Sequence, residues 1–223
     1  MKKMRKALTT AELMIALTII GIISTLILPG YIENYHKKIY ITKLKKTYYT
    51  LSNAIEQACI DSNVSSFYQS GYTNTDKTKD FLEKYMKVKT QIGSNKFGFN
   101  LSYKDIANGQ DRETIFLTDF YTILNDGQAI AIDCSNTPNP ALCYVYLDVN
   151  ATDGPNISGR DMFTFGIDTK NNKIIDPFDP RKCEEDSNVK TIRNKINGST
   201  YKVGVYGGGC LGRIMNDNWN MNY

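Results

Sequence analysis

Asp148, Asn150, Asp153, Asn156 and Asp161 bring three carboxylates and two amides within fourteen residues. Calcium takes roughly six to eight oxygens, so this stretch could hold it, with Gly154 letting the chain turn tightly. The spacing does not follow an EF-hand loop, and the same Asx residues build ordinary long turns by bonding their own backbone. Both readings stand. The five cysteines, Cys59, Cys134, Cys143, Cys183 and Cys210, include no Cys-x-x-Cys pair, and His36 is the only histidine, so a zinc site is not expected. In an oxidising compartment they make two bridges and one free thiol. Joining nearest neighbours pairs Cys134 with Cys143 and Cys183 with Cys210 and leaves Cys59 over, although spacing alone does not define connectivity. No Gly-x-Ser-x-Gly elbow and no phosphate loop occurs, which argues against an enzyme. The remaining reactive group is Glu12, an acid inside an otherwise apolar segment.

That segment sets the topology. Lys2, Lys3, Arg5 and Lys6 precede it, and Leu13 to Leu28 carry no charge. The 21 residues from Leu8 to Leu28 would span about 31 Å as a helix, the thickness of a bilayer's hydrocarbon core. Cations beside a membrane segment stay cytoplasmic, so everything after Pro29 is expected on the far side. The formal charge of +4 also belongs to this end. Without the first seven residues, 23 cations meet 23 acids, and nucleic acid is not an expected partner.

Pro29-Gly30 would stop most helices. Here Ile41, Leu44, Tyr48, Leu51, Ile55 and Ala58 continue at alternating spacings of three and four, which predicts one helix bent at Pro29 and running to about Cys59. Lys37, Lys38, Lys43, Lys45 and Lys46 form the densest basic cluster left, read first as a solvated face and second as a surface for lipid headgroups or nucleic acid. Beyond it, Phe81, Leu82, Tyr85 and Met86 suggest a short helix over Lys79 to Lys89. Strands follow: Thr114 to Leu124 and Gln128 to Asp133 around an Asn125-Asp126-Gly127 turn, then Tyr144 to Val149, Met162 to Ile167, Lys173 to Asp176 and Tyr201 to Tyr206. Trp219 reads as an anchor closing the sheet, with a contact to another subunit as the sharper alternative. The fold class is α+β, a long N-terminal helix packed on a small antiparallel sheet.

Lys6-Ala7-Leu8-Thr9-Thr10-Ala11-Glu12-Leu13-Met14-Ile15-Ala16-Leu17 resembles the N-terminal signal of type IV pilins and type II secretion pseudopilins. Ala7 and Leu8 stand where that family usually has Gly and Phe, and Pro29 falls where such chains often carry a helix-bending proline. The resemblance implies a pilin-like layout: a leader 1–7, a transmembrane and assembly segment 8–29, an amphipathic half-helix 30–62 and an extracytoplasmic head 63–223. It implies cleavage by a prepilin peptidase between Ala7 and Leu8 and methylation of the new amine. Assembly at an inner-membrane platform into a filament with like or related subunits would follow, Glu12 pairing with a neighbour's Leu8 amine. The subunit would be single-pass in the inner membrane, among its lipid, before it enters a periplasmic or extracellular filament. No cofactor is required by that role. Asp148-Val149-Asn150-Ala151-Thr152-Asp153-Gly154-Pro155-Asn156 also resembles a loop of many pseudopilin-like heads. The alternative is a membrane-anchored or secreted binding protein that forms no filament.

Overall fold

The computed structural model describes residues 9–93, 102–105, 111–113, 120–134, 141–151, 153–178, 183 and 208–223. Helix α1 runs Thr10–Asp61, 52 residues, with Pro29 inside it. The chain divides into two compact units, Met1–Ile39 and Tyr40–Tyr223, so the division falls within α1. In the first unit nearly every described residue is exposed, and the large apolar ones lie on all sides of the helix rather than on one stripe.

In the second unit the helix buries Tyr40, Leu44, Thr47, Leu51, Ala54, Ile55, Ala58 and Cys59. Four of the six expected stripe residues are in that set. Ile41 and Tyr48 are only half-buried, and Tyr40 and Thr47 take the inward places. Thr47 can do so because its hydroxyl donates to Gln128 Oε1 at 2.8 Å, next to the sheet. A 3-10 turn, Phe67–Ser70, follows. Helix α2 is Thr75–Tyr85. It starts earlier than the expected Lys79 and stops short of Lys89, because Val88–Gly93 pairs as a strand with Phe120–Leu124. Alternation of β-branched residues at 88, 90 and 92 outcompetes the helical spacing there.

Among the described residues nine strands form one sheet: β1 Val88–Gly93, β2 Ser102–Asp105, β3 Asp111–Glu113, β4 Phe120–Leu124, β5 Ala129–Asp133, β6 Leu142–Asp148, β7 Ile157–Ser158, β8 Met162–Asp168 and β9 Lys173–Ile175. The order is β1-β4-β5-β6-β8-β7-β2-β3, with β9 also on β8. Pairing is antiparallel except where the two-residue β7 meets β2 and β8. The β4–β5 hairpin turns through Asn125-Asp126-Gly127, with Gly127 at φ +81° and Leu124 N–H donating to the Gln128 carbonyl at 2.8 Å. Only glycine takes that backbone angle without strain. Strand β5 is buried along its whole length and β8 along all but its last residue, so these strands lie in the core. Helix α2 packs against β4 and β5, tied by the Thr78 hydroxyl to the Ile132 carbonyl at 3.2 Å. Helix α3, Cys210–Asn216, packs against β8. The expected strand Tyr201 to Tyr206 lies outside the described residues.

Candidate functional site

Ala7 and Leu8 lie outside the described residues. Glu12 and Pro29 both lie on α1, in the first unit. Thr9 precedes the helix, and its backbone N–H and its hydroxyl each donate to Glu12 Oε2 at 2.8 Å. Glu12 N–H donates back to Thr9 Oγ1 at 3.2 Å. This reciprocal pair is a capping box, which satisfies amide donors that the first turn would otherwise leave bare. The Thr-x-x-Glu spacing announced it, although Thr9 was not among the residues singled out from the sequence. The bonds also shelter part of an acid that apolar surroundings would penalise. Leu13, Met14, Ile15, Leu17, Ile19 and Ile20 follow, each at least half exposed. A helix that is apolar all round needs lipid or other protein about it. By length and composition α1 is able to cross a membrane.

In the second unit the structure brings Asp148, Asn150, Asp153, Asn156 and Asp161 into one turn. Asp161 is fully buried and accepts from the Asn156 N–H at 2.7 Å and the Ile157 N–H at 2.6 Å. Asp148, equally buried, accepts from the Asn150 N–H at 2.9 Å. The Asn150 side-chain amide donates to the carbonyls of Asp153 and Gly154. Ala151 and Asn156 adopt positive φ, at 55° and 54°. These are the Asx bonds of a tightly wound turn. Among the described residues no three acidic, histidine or cysteine side chains gather as a metal-binding set. Asn150 Oδ1 and Asn156 Oδ1 are buried acceptors without a hydrogen bond. Burial pushes the Asp161 carboxyl above its ordinary range, and the amide bonds from Ile157 and Asn156 pull it part of the way back. A resident cation meets the turn from α1, where Lys43 Nζ donates to the Val149 carbonyl at 2.8 Å.

Three other lysines of the basic cluster also have partners of their own. Lys37 pairs with Glu33 at 3.2 Å, Lys46 with Asp126 at 2.8 Å, and Lys45 lies over the Trp219 ring at 5.4 Å. Sequence spacing gathered these side chains, and the fold distributes them to separate partners. Trp219 itself does not close the sheet. It packs on α1, with ring centroids 5.5 Å from Tyr48 and 6.2 Å from Tyr49. Asn218 and Trp219 both have positive φ, which folds the chain back onto the helix after α3 ends.

Disulfides join Cys134, just past the end of β5, to Cys143 on β6, and Cys183 to Cys210 at the start of α3. Cys59 is a buried free thiol on α1, raised above the ordinary thiol range by burial. Asp176, unnoticed in the sequence, accepts from the N–H groups of Phe178, Gly209 and Gly212 at 3.1, 3.1 and 2.9 Å. It caps α3 from a distant part of the chain, which no local spacing could announce. No protein-family model, curated protein or solved structure matches this chain.

Proposed function

We propose that the chain is a structural subunit, a pilin or pseudopilin and by the size of its head a minor one, of a type IV pilus or a type II secretion pseudopilus. One observation carries the reading: a single helix combines an all-round apolar half, an acid five residues from the predicted cut, and a second half whose stripe is buried in a disulfide-bonded α+β unit. The apolar half suits lipid before assembly and the helices of neighbouring subunits after it. Glu12 is the assembly residue, pairing with the Leu8 amine of an adjacent copy once a prepilin peptidase has removed residues 1–7. The inner-membrane assembly platform is the partner that draws the subunit out of the membrane. The role is architectural rather than enzymatic: the head's carboxylates hold turns and its cysteines hold bridges.

The mass of the mature N-terminus tests the processing. The expected product begins at Leu8 and carries one methyl group. A chain still beginning at Met1 would indicate an anchored protein, and one beginning near Gly30 a secreted protein; either ends the filament reading. Assembly is tested with Glu12→Ala. The variant is expected in the membrane at normal level, with incorporation into filaments reduced by about an order of magnitude, because a neighbour's amine would be buried without its partner. Normal incorporation would remove the role assigned to the acid.

A further inference from the structure

The second unit contains a cavity of about 370 Å³ between α1, the end of α2 and the β4–β5 hairpin. That volume lies within the range of small-molecule sites. Met86 and Leu124, both buried, give it an apolar floor, and the Tyr85 ring adds an apolar wall. At the mouth stand Thr50, Lys46 and Lys87, all exposed.

The charges at the mouth are unequal. Asp126 is the lining acid, and its Oδ2 already accepts from Lys46 Nζ and from Gln128 Nε2, each at 2.8 Å. Lys46 and Gln128 hold its carboxyl below the ordinary range against the opposing effect of burial, so it stays ionised with Oδ2 committed, while Oδ1 is buried without a hydrogen bond. Lys87 has no ion pair or side-chain hydrogen bond among the described residues, while its carbonyl accepts from Asn125 N–H at 2.9 Å and fixes its backbone at the rim. The hydroxyl protons of the wall are also spent: Thr50 donates to the Lys46 carbonyl at 2.9 Å and Tyr85 to Asp61 at 3.0 Å. The cation left uncommitted at the mouth is the Lys87 ammonium, beside the exposed Asn125 and above an apolar floor.

We infer that this cavity is a binding site for a small organic anion with a compact apolar body, its carboxylate on Lys87 and its body against Met86, Leu124 and Tyr85. A cation would meet Lys46 and Lys87. A bare inorganic anion would leave the floor uncovered. The site stands apart from the helix-mediated assembly proposed above and does not depend on it.

The probe is 4-fluorophenylacetate, followed by fluorine NMR on the full chain in detergent, with 4-fluorophenylacetamide and inorganic phosphate as controls. Saturable binding of the acid is expected, with the amide and phosphate each about tenfold weaker or worse, the effect of losing one charge-assisted contact or the apolar one. Lys87→Glu should weaken the acid by at least about tenfold. Thr50→Phe, which fills the mouth from the exposed side of α1, should do the same, and both variants should keep the wild-type melting temperature. Signal that does not saturate, or that is equal for acid and amide, would overturn the inference. Equal binding by wild type and both variants would do so as well.

Discussion

Asp161 secures its turn by accepting two consecutive amides while fully buried. Its carboxyl is raised in the folded chain, so it contributes stability that is fully present below the ordinary carboxylate pKa and is lost as pH rises through the raised value. Asp126 has the opposite sign: its contribution is present above the ordinary pKa and is lost as pH falls through the lowered one. Asp161→Asn is therefore expected to destabilise most below about pH 4 and progressively less toward neutrality, as melting curves across that range would show. An unchanging difference between variant and wild type would contradict the assigned shift. The same variant addresses calcium. If backbone amides are the partners of Asp161, the loss on substitution is the same with calcium or with a chelator, whereas a calcium-dependent rise confined to wild type would make this turn a cation site. The acidic turn was legible in the sequence as a cluster of Asx residues. Its internal wiring was not, because which oxygen meets which amide depends on backbone angles such as those at Ala151 and Asn156.

Among the elements, α1 was the most legible and the sheet the least. A stripe at spacings of three and four is a local property, so it survives whatever the helix packs against; only its exact facing changed, by one position at Tyr40 and another at Thr47. Leu51 is fully buried on that face, and Leu51→Ala is expected to cost about 2–5 kcal/mol in chemical denaturation. The short strands β2, β3 and β7 gave no readable pattern, since two to four residues are too few to show a period and their pairing comes from partners far along the chain. Gly208 illustrates the same point. A Cβ there would meet the Phe178 ring at 2.6 Å, so Gly208→Ala is expected to cost about 1–3 kcal/mol. A stability equal to wild type would mean that the ring yields freely.

For the molecule as a whole, the two units ask for different surroundings. The first exposes apolar side chains that water does not favour, while the second buries a core and ties its tail with the Cys183–Cys210 bridge across a separation of 27 residues. Replacing both of these cysteines with serine is expected to lower stability by about 2–4 kcal/mol, measured by denaturation under non-reducing conditions. Trp219 supplies a second tie, to Tyr48 and Tyr49. Trp219→Ala should therefore free the C-terminal residues for proteolysis before the core unfolds, and unchanged digestion would deny the clamp.

The sequence by itself determined the features that local spacing or composition defines: one helix continuing through Pro29, an apolar first half with a single acid, an α+β class and an Asx-rich turn. Each depends on residues within a turn or two of one another. Tertiary structure alone decided that Lys43, Lys46 and Lys45 go to Val149, Asp126 and Trp219, that Asp176 caps α3, and that Lys87 stands uncommitted over an apolar cavity. Those outcomes depend on which distant segments meet, and burial sets the strength of the contacts once they have met.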